Sequence, residues 1–350
     1  MRSIPALYAL RPIRIRRAAT QESTGMTAIP FETLITVFGG SGFLGRHVVQ
    51  ALAARGYRIR VAVRRPELAG HLQPLGEVGQ IHAVQANLRD AASVEAAARA
   101  SDVLINLVGI LFERSRQRFD AVHVSGAQAV ALAASGIGAR LIHVSAIGAD
   151  EHSSSHYARS KGTGEKLVLA ALPSAVVMRP SVLFGQEDDF FNRFASIARL
   201  SPALPLIGGG HTLFQPVFAG DVAAAIVAAM EGRAAPGATY ELGGPEVKSF
   251  KDLMRFVLAT VERRRLLVPI PFTLAKLQAW LLALMPKPLL TPDQVELLRR
   301  DNIVSDQAAR EGRTIASFGI DPHAMGSVVP SYLWRFRKSG QFARQMTEGR

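Results

Sequence analysis

At 350 residues the chain is long enough for one large domain or two ordinary ones, and 48% hydrophobic with 20% charged residues excludes an intrinsically disordered chain. The absence of cysteine excludes a disulfide framework, a thiolate zinc site, iron–sulfur ligation and a cysteine nucleophile. The net charge of +13 sits mostly at the ends, with +4 in residues 1–30, +4 in 331–350 and +5 in the 300 residues between; this points to an acidic partner met by the termini and away from a nucleic-acid-binding core.

No run of about 18 apolar residues occurs, so no bilayer-spanning helix is expected. Residues 1–20 lack acid and carry Arg2, Arg11, Arg14, Arg16 and Arg17, the composition of a mitochondrial presequence. An upstream start codon with Met26 as the true beginning, or a basic arm without structure, gives the same composition. Folding signals begin at Leu34–Phe38, a short β-rich run, followed by GGSGFLG. A helical segment comes next, in which Val48, Val49, Leu52 and Ala53 recur at helical spacing and Gly56 is placed to end it. Further strands are expected at Arg58–Val63, Ile81–Ala86, Val103–Val108, Leu141–Val144 and Ala175–Met178, with helices near 93–100, 118–135 and 157–172.

Near-continuous apolar strands alternating with helices spell a doubly wound α/β fold, its parallel sheet covered on both faces. After Arg179 the alternation breaks at Pro180, Pro202, Pro205 and Gly208-Gly209-Gly210, leading to a strand near 213–218 and a helix at 221–230. The expected organisation is a basic extension over 1–30, then a dinucleotide-binding domain over 31–185 plus about 213–235. A smaller, mostly helical C-terminal lobe takes 186–212 plus 236–330, and a basic aromatic tail takes 331–350.

Gly39, Gly42 and Gly45 stand between a strand and a helix, where side chains would hold a phosphate away from backbone N–H groups. The helix N-terminus adds its dipole and unsatisfied donors, so Gly39, Ser41, Gly42, Phe43, Leu44 and Gly45 are candidates for a pyrophosphate. NAD-binding folds place an acid on the ribose about twenty residues later. Here Arg64 and Arg65 stand in that place, which suits a 2′-phosphate and favours NADP(H) over NAD(H). Asn87 and Leu88 follow the third strand, where they can meet the adenine edge. Asn106 and Val108 close the fourth, beside the path of ribose and nicotinamide.

Tyr157 and Lys161 are four apart at the start of a helix and share a face. A free phenol titrates near 10, and a neighbouring ammonium is expected to favour the phenolate. Together, GGSGFLG, this Tyr-x-x-x-Lys, the run Met178 to Gly185 and the run Phe214 to Ala223 resemble the short-chain dehydrogenase/reductase superfamily. The branch resembled is the extended or atypical one, the NAD-dependent epimerase/dehydratase family, from about residue 34 to 245. Within it, His143–Asp150, the run to Tyr157 and Arg179–Gly185 are most similar to the nucleotide-binding accessory subunits of respiratory complex I and their bacterial relatives.

The resemblance implies a Rossmann sheet, a tightly held NADP(H), a structural role among complex I subunits, and Tyr157, Lys161 and Pro180 at the nucleotide. The superfamily's usual second hydroxyl after the fifth strand is replaced: the pair reads Ser145-Ala146. Loss of such a donor commonly costs two to three orders of magnitude in rate, on the order given for oxyanion donors, unless Ser145 or one of Ser153–Ser155 substitutes. His152 and His156 lack a third ligand nearby, so no metal site is expected.

Two functions are carried forward. One is a structural complex I subunit on the cytoplasmic face of a bacterial inner membrane, or on the matrix side of the mitochondrial inner membrane if residues 1–20 are a presequence. The other is a soluble NADP-dependent reductase, epimerase or dehydratase using Tyr157 and Lys161. Residues 272–286, apolar nearly all round but too short to span, are expected either to be buried or to meet an anionic membrane surface together with 331–350.

Overall fold

The computed structural model describes residues 30–283, 285 and 288–339. The basic extension up to residue 29 and the last part of the tail, from 340, lie outside the described residues.

Strands β1 (Leu34–Phe38), β2 (Arg58–Val63), β3 (Ile81–Gln85), β4 (Val103–Asn106), β5 (Arg140–Val144) and β6 (Val176–Pro180) alternate with helices. These are α1 (Phe43–Ala53), α2 (Ala91–Ala98), α3 (Ser125–Ile137) and α4 (His156–Ala171). The strands form one parallel sheet in the order Thr239–Leu242, β6, β5, β4, β1, β2, β3. The order reverses between β1 and β4, the place where a doubly wound sheet opens its ligand crevice. Successive side chains serve opposite faces. Val103, Ile105 and Ile142 pack with Val48, Val49 and Leu52 of α1, whereas Leu104 and Leu141 pack with Val130 and Ala134 of α3.

A second lobe is built on α5 (Phe190–Leu200), α7 (Phe250–Thr260), α8 (Phe272–Leu282) and α9 (Pro292–Leu297), while α6 (Ala219–Ala228) packs on the main sheet through Val222 and Ile226. Phe184, Phe191, Phe214 and Phe250 form the core of that lobe with Leu253, Val257, Tyr332 and Leu333. Three features depart from the reading above. Thr239–Leu242, assigned there to the second lobe, is the edge strand of the main sheet; a strand of four residues is too short to show a period. The strand near 213–218 is two dipeptide strands, Leu213–Phe214 and Val217–Phe218, interrupted at Pro216, which has no N–H to donate. Ala203–Ile207 and Leu266–Ile270 form an unforeseen parallel pair, and each contains a proline, as separate two-stranded edges allow.

The tail also differs. Tyr332 and Leu333 are buried, and the Tyr332 hydroxyl donates to Asp188. Arg335 donates to Asn192 Oδ1 at 2.6 Å, and Arg337 donates to the Thr260 carbonyl at 3.0 Å. Residues 331–339 are therefore part of the second lobe, and these two arginines are held by the protein's own acceptors.

Candidate functional site

The sequence-predicted residues gather along the carboxyl edge of the sheet, each on the segment that follows a different strand. After β1 the chain turns at Gly39, with φ +82°, and the Gly42 N–H donates to the Gly39 carbonyl at 3.0 Å. A Cβ on Gly45 would stand 2.4 Å from that same oxygen. Gly39 itself faces Val108: a Cβ there would meet Val108 Cγ2 at 3.0 Å. Gly42 caps α1 with no side-chain bond, and the first turn of the helix holds no acid. The N–H groups there are open to an anion. Leu44 and Leu88 are buried in the core, so only their backbones are available at the site.

Beyond β2, Arg64 and Arg65 are both exposed. Arg65 Nε lies 3.1 Å from Glu67 Oε1, while Arg64 faces the side-chain amide of Gln117, whose oxygen accepts at 3.1 Å from Nη2 when the amide is turned toward the guanidinium. Asn87 accepts from the N–H and Nε of Arg89, both at 3.3 Å. Asn106 does not reach outward. Its amide nitrogen donates to Nδ1 of buried His143 at 3.2 Å, and its oxygen accepts from the Val108 N–H at 3.1 Å.

Ser155 caps α4, accepting from the Ala158 N–H at 3.2 Å. Lys161, one turn beyond Tyr157, is buried and donates to the Val144 carbonyl at 3.3 Å, close to Gly109. Burial lowers its pKa to about 8 against the raising effect of Glu165. The Tyr157 phenol is pushed up to about 12, by burial first and by the charge of Asp293 second. Both causes push the phenol up, opposite in direction to the lowering expected from a neighbouring ammonium, and the charge among them is a carboxylate from the second lobe.

Asp293 was not foreseen. Its carboxylate accepts from the His156 N–H at 2.7 Å, the Tyr157 N–H at 3.0 Å and the Ser155 hydroxyl at 3.0 Å, closing the start of α4. Residues so far apart in the chain leave no local signal. His123 was also missed, inside what reads as an ordinary amphipathic helix. The segment Asp120–Val124 is a π-turn, and it directs His123 inward. His123 Nε2 accepts from the Ile110 N–H at 3.0 Å, so its Nδ1–H is the donor to Ser160 Oγ at 2.9 Å. Its ring meets the Tyr157 ring edge to face, 5.4 Å between centroids. Burial, then Lys161, lower its pKa to about 2, so it is neutral. A Cβ on Gly164 would fall 2.0 Å from the His123 carbonyl, which lets α4 approach this turn.

Ser145 is buried and its hydroxyl has no hydrogen-bond partner. A buried orphan hydroxyl is costly, roughly 1–3 kcal/mol, and its place after β5 fits a ligand atom as the missing partner. With the glycine turn and the open start of α1, the residues present fit a dinucleotide laid across the switch point. A cleft of about 560 Å³ lies between the two lobes, its walls including Phe119, His156, Lys276, Asp293 and Glu296.

The NAD dependent epimerase/dehydratase family profile matches residues 35–243. Among curated proteins, the chain is 36% identical to "NADH dehydrogenase [ubiquinone] 1 alpha subcomplex subunit 9, mitochondrial" of Arabidopsis thaliana, across 91% of this chain and 82% of that protein. It is 37% identical to a ceramide reductase of Caulobacter vibrioides, across 50% of this chain and 54% of that protein. Among solved structures, a dTDP-glucose 4,6-dehydratase of Streptomyces venezuelae with NAD bound shares the fold at 18% identity and TM-score 0.64, covering 87% of this chain and 96% of that one.

Proposed function

The chain belongs to the NAD dependent epimerase/dehydratase family, and from that premise we propose that it is an NADP(H)-binding, largely structural accessory subunit of respiratory complex I, peripheral to the membrane. The observation that carries this reading is the span of the likeness to the Arabidopsis subunit: at 91% of the chain it includes the second lobe as well as the nucleotide fold. In this reading the pyrophosphate is seated by the turn at Gly39, Gly42 and Gly45, and a guanidinium of the Arg64–Arg65 pair selects the 2′-phosphate. A bound nicotinamide would supply hydride chemistry. The Tyr157 phenol, raised to a pKa of about 12, keeps its proton and would serve poorly as a base, and Ala146 offers a substrate oxygen no second hydroxyl.

The second lobe supports a docking role. Helix α8 rests on Ala275 and Ala279 and leaves Leu274, Leu277, Trp280 and Leu281 exposed, Leu277 and Trp280 each at 61%. Among the described residues no helix is long and apolar enough to cross a membrane. An apolar face of this kind marks a binding surface, and the proposed occupant is the membrane-bound complex. The test is gentle solubilisation of native membranes: the chain should comigrate with complex I subunits and release NADP(H). A wholly unassociated chain, with no partner recovered by mild crosslinking, contradicts the reading.

The second reading is an NADP-dependent reductase, epimerase or dehydratase. It is favoured by Tyr157 and Lys161 on one helix and by the half-length likeness to the ceramide reductase. Robust turnover that is abolished by Tyr157→Phe would replace the first reading with this one.

A further inference from the structure

The two adjacent arginines after β2 are not equivalent, and a third, Arg89, reaches the same dipeptide as the first. Arg65 is turned onto Glu67, an acid two residues away that offsets its charge. Among the described residues Arg64 has no acid within ion-pair distance: its guanidinium faces the neutral amide of Gln117, turned to accept. Arg89, from the segment after β3, also rests on neutral acceptors, Asn87 Oδ1 at 3.3 Å and the Arg116 carbonyl at 3.2 Å. The acid beside it, Asp90, is occupied in capping α2, where it accepts from the Ala92 and Ser93 N–H groups at 3.2 and 3.4 Å.

Arg64 and Arg89 therefore converge from the ends of two paired strands onto one dipeptide, Arg116-Gln117. That dipeptide lies in a tight hairpin, closed by the Arg114 N–H to the Gln117 carbonyl at 3.0 Å and the Gln117 N–H to the Arg114 carbonyl at 2.9 Å. Both guanidiniums are exposed and rest on neutral acceptors, so their present bonds are of the weaker, uncharged kind. A dianionic phosphomonoester between them would exchange these for charge-assisted bonds roughly twice as strong.

Resting on the NADP(H) reading above, we infer that Arg89, together with Arg64, holds the 2′-phosphate of the adenosine ribose, that Arg65 does not, and that the 114–117 hairpin is the wall against which the phosphate is held.

The experiment uses the full chain stripped of nucleotide and titrated with NADPH and NADH by fluorescence, with the variants Arg64→Met, Arg65→Met and Arg89→Met checked for unchanged melting. Arg89→Met should weaken NADPH at least tenfold and NADH less than twofold. Arg65→Met should move neither more than twofold, and Arg89→Lys should fall between Arg89→Met and the unaltered chain. The same order should hold for 2′-phospho-ADP-ribose against ADP-ribose, which carry no nicotinamide. An Arg89→Met variant with unaltered NADPH affinity, beside an Arg64→Met variant that has lost it, overturns the role of Arg89 and leaves the NADP(H) reading standing. An unaltered chain that binds NADH as tightly as NADPH overturns both, and does so before any variant is made.

Discussion

Replacing Gly42 and Gly45 separately by alanine distinguishes a turn that holds the fold from a turn that holds a ligand. At Gly45 the new Cβ would lie 2.4 Å from the Gly39 oxygen and 2.6 Å from both the carbon and the oxygen of Gly40. All three are backbone atoms, so the loop must move. Overpacking of this kind costs about 1–3 kcal/mol, and the helix preference of Ala over Gly returns up to about 1 kcal/mol. At Gly42 the nearest atom is 3.3 Å away, and the backbone, at φ −76° and ψ 178°, suits any residue. Loss of the glycine at this cap costs less than about 1 kcal/mol. Without nucleotide, Gly45→Ala should therefore melt several degrees lower and Gly42→Ala within about two. With NADPH the order reverses in kind. The Gly42 methyl stands on the open side of the turn, where a pyrophosphate has to approach the N–H groups, and a tenfold loss in affinity, about 1.4 kcal/mol, is expected. At a ligand concentration one hundred times the unaltered Kd, the unaltered chain gains about 2.7 kcal/mol and Gly42→Ala about half as much. A Gly42→Ala protein that binds NADPH as the unaltered chain does would refute the assignment of this turn to the pyrophosphate.

The remaining predictions concern protons and the second lobe. His123 and His143 are held neutral, at about 2 and about 3, by burial and then by Lys161. The unfolded chain protonates them near 6.5, so stability should fall as pH drops below about 6.5, these two sites contributing a slope approaching 2.7 kcal/mol per pH unit. His123→Asn with His143→Asn should flatten the urea midpoint between pH 6.5 and 4, and an unchanged slope would contradict their neutrality. Asp293→Asn should bring the Tyr157 titration down from about 12, read as tyrosinate absorbance, while costing about 1–3 kcal/mol through its lost charged bonds; an unmoved titration removes Asp293 as a cause. Leu277→Glu with Trp280→Glu should leave stability in solution within about 0.5 kcal/mol per site and reduce comigration with the membrane complex, and full recovery would exclude α8 as the docking face.

What was legible in the sequence follows from how local each cause is. The strands β1 to β6 are short apolar runs bounded by turn residues, and the glycine turn lies directly between one of them and a periodic helix, so both could be read from neighbours in the chain. The edge strand Thr239–Leu242 could not, because its identity depends on the exposed side of β6. The site divides in the same way. Gly39, Arg64 and Lys161 can be singled out by residue type and offset from a strand. Asp293 acts on Tyr157 across 136 positions, and His123 is turned inward by a single π-turn that no spacing announces. The phenol shows why: its neighbour along the helix is Lys161, but the charge that adds to burial in three dimensions is the Asp293 carboxylate.

That carboxylate is one of the polar links that meet on α4. Asp293 closes the helix at its start, and further along Glu165 accepts from Arg179 on β6, at 3.0 Å from Nε. Arg179 Nη1 also lies 3.5 Å from Glu241 on the edge strand, whose carboxylate accepts from the Ser305 N–H at 2.7 Å. All of these groups are at least partly buried, where leaving one partner of an ion pair unmatched is strongly destabilising. The helix that carries Lys161 is consequently fixed from the second lobe at one end and from the sheet edge at its middle. On the proposed reading, a nucleotide that engages the Lys161 face orders the same helix on which Asp293 and α9 rest, and α9 in turn packs on α8 through Val295 against Ala275 and Ala279. Binding at the switch point would then stabilise the surface offered to the complex without a chemical step, which is the behaviour required of a cofactor retained for structure.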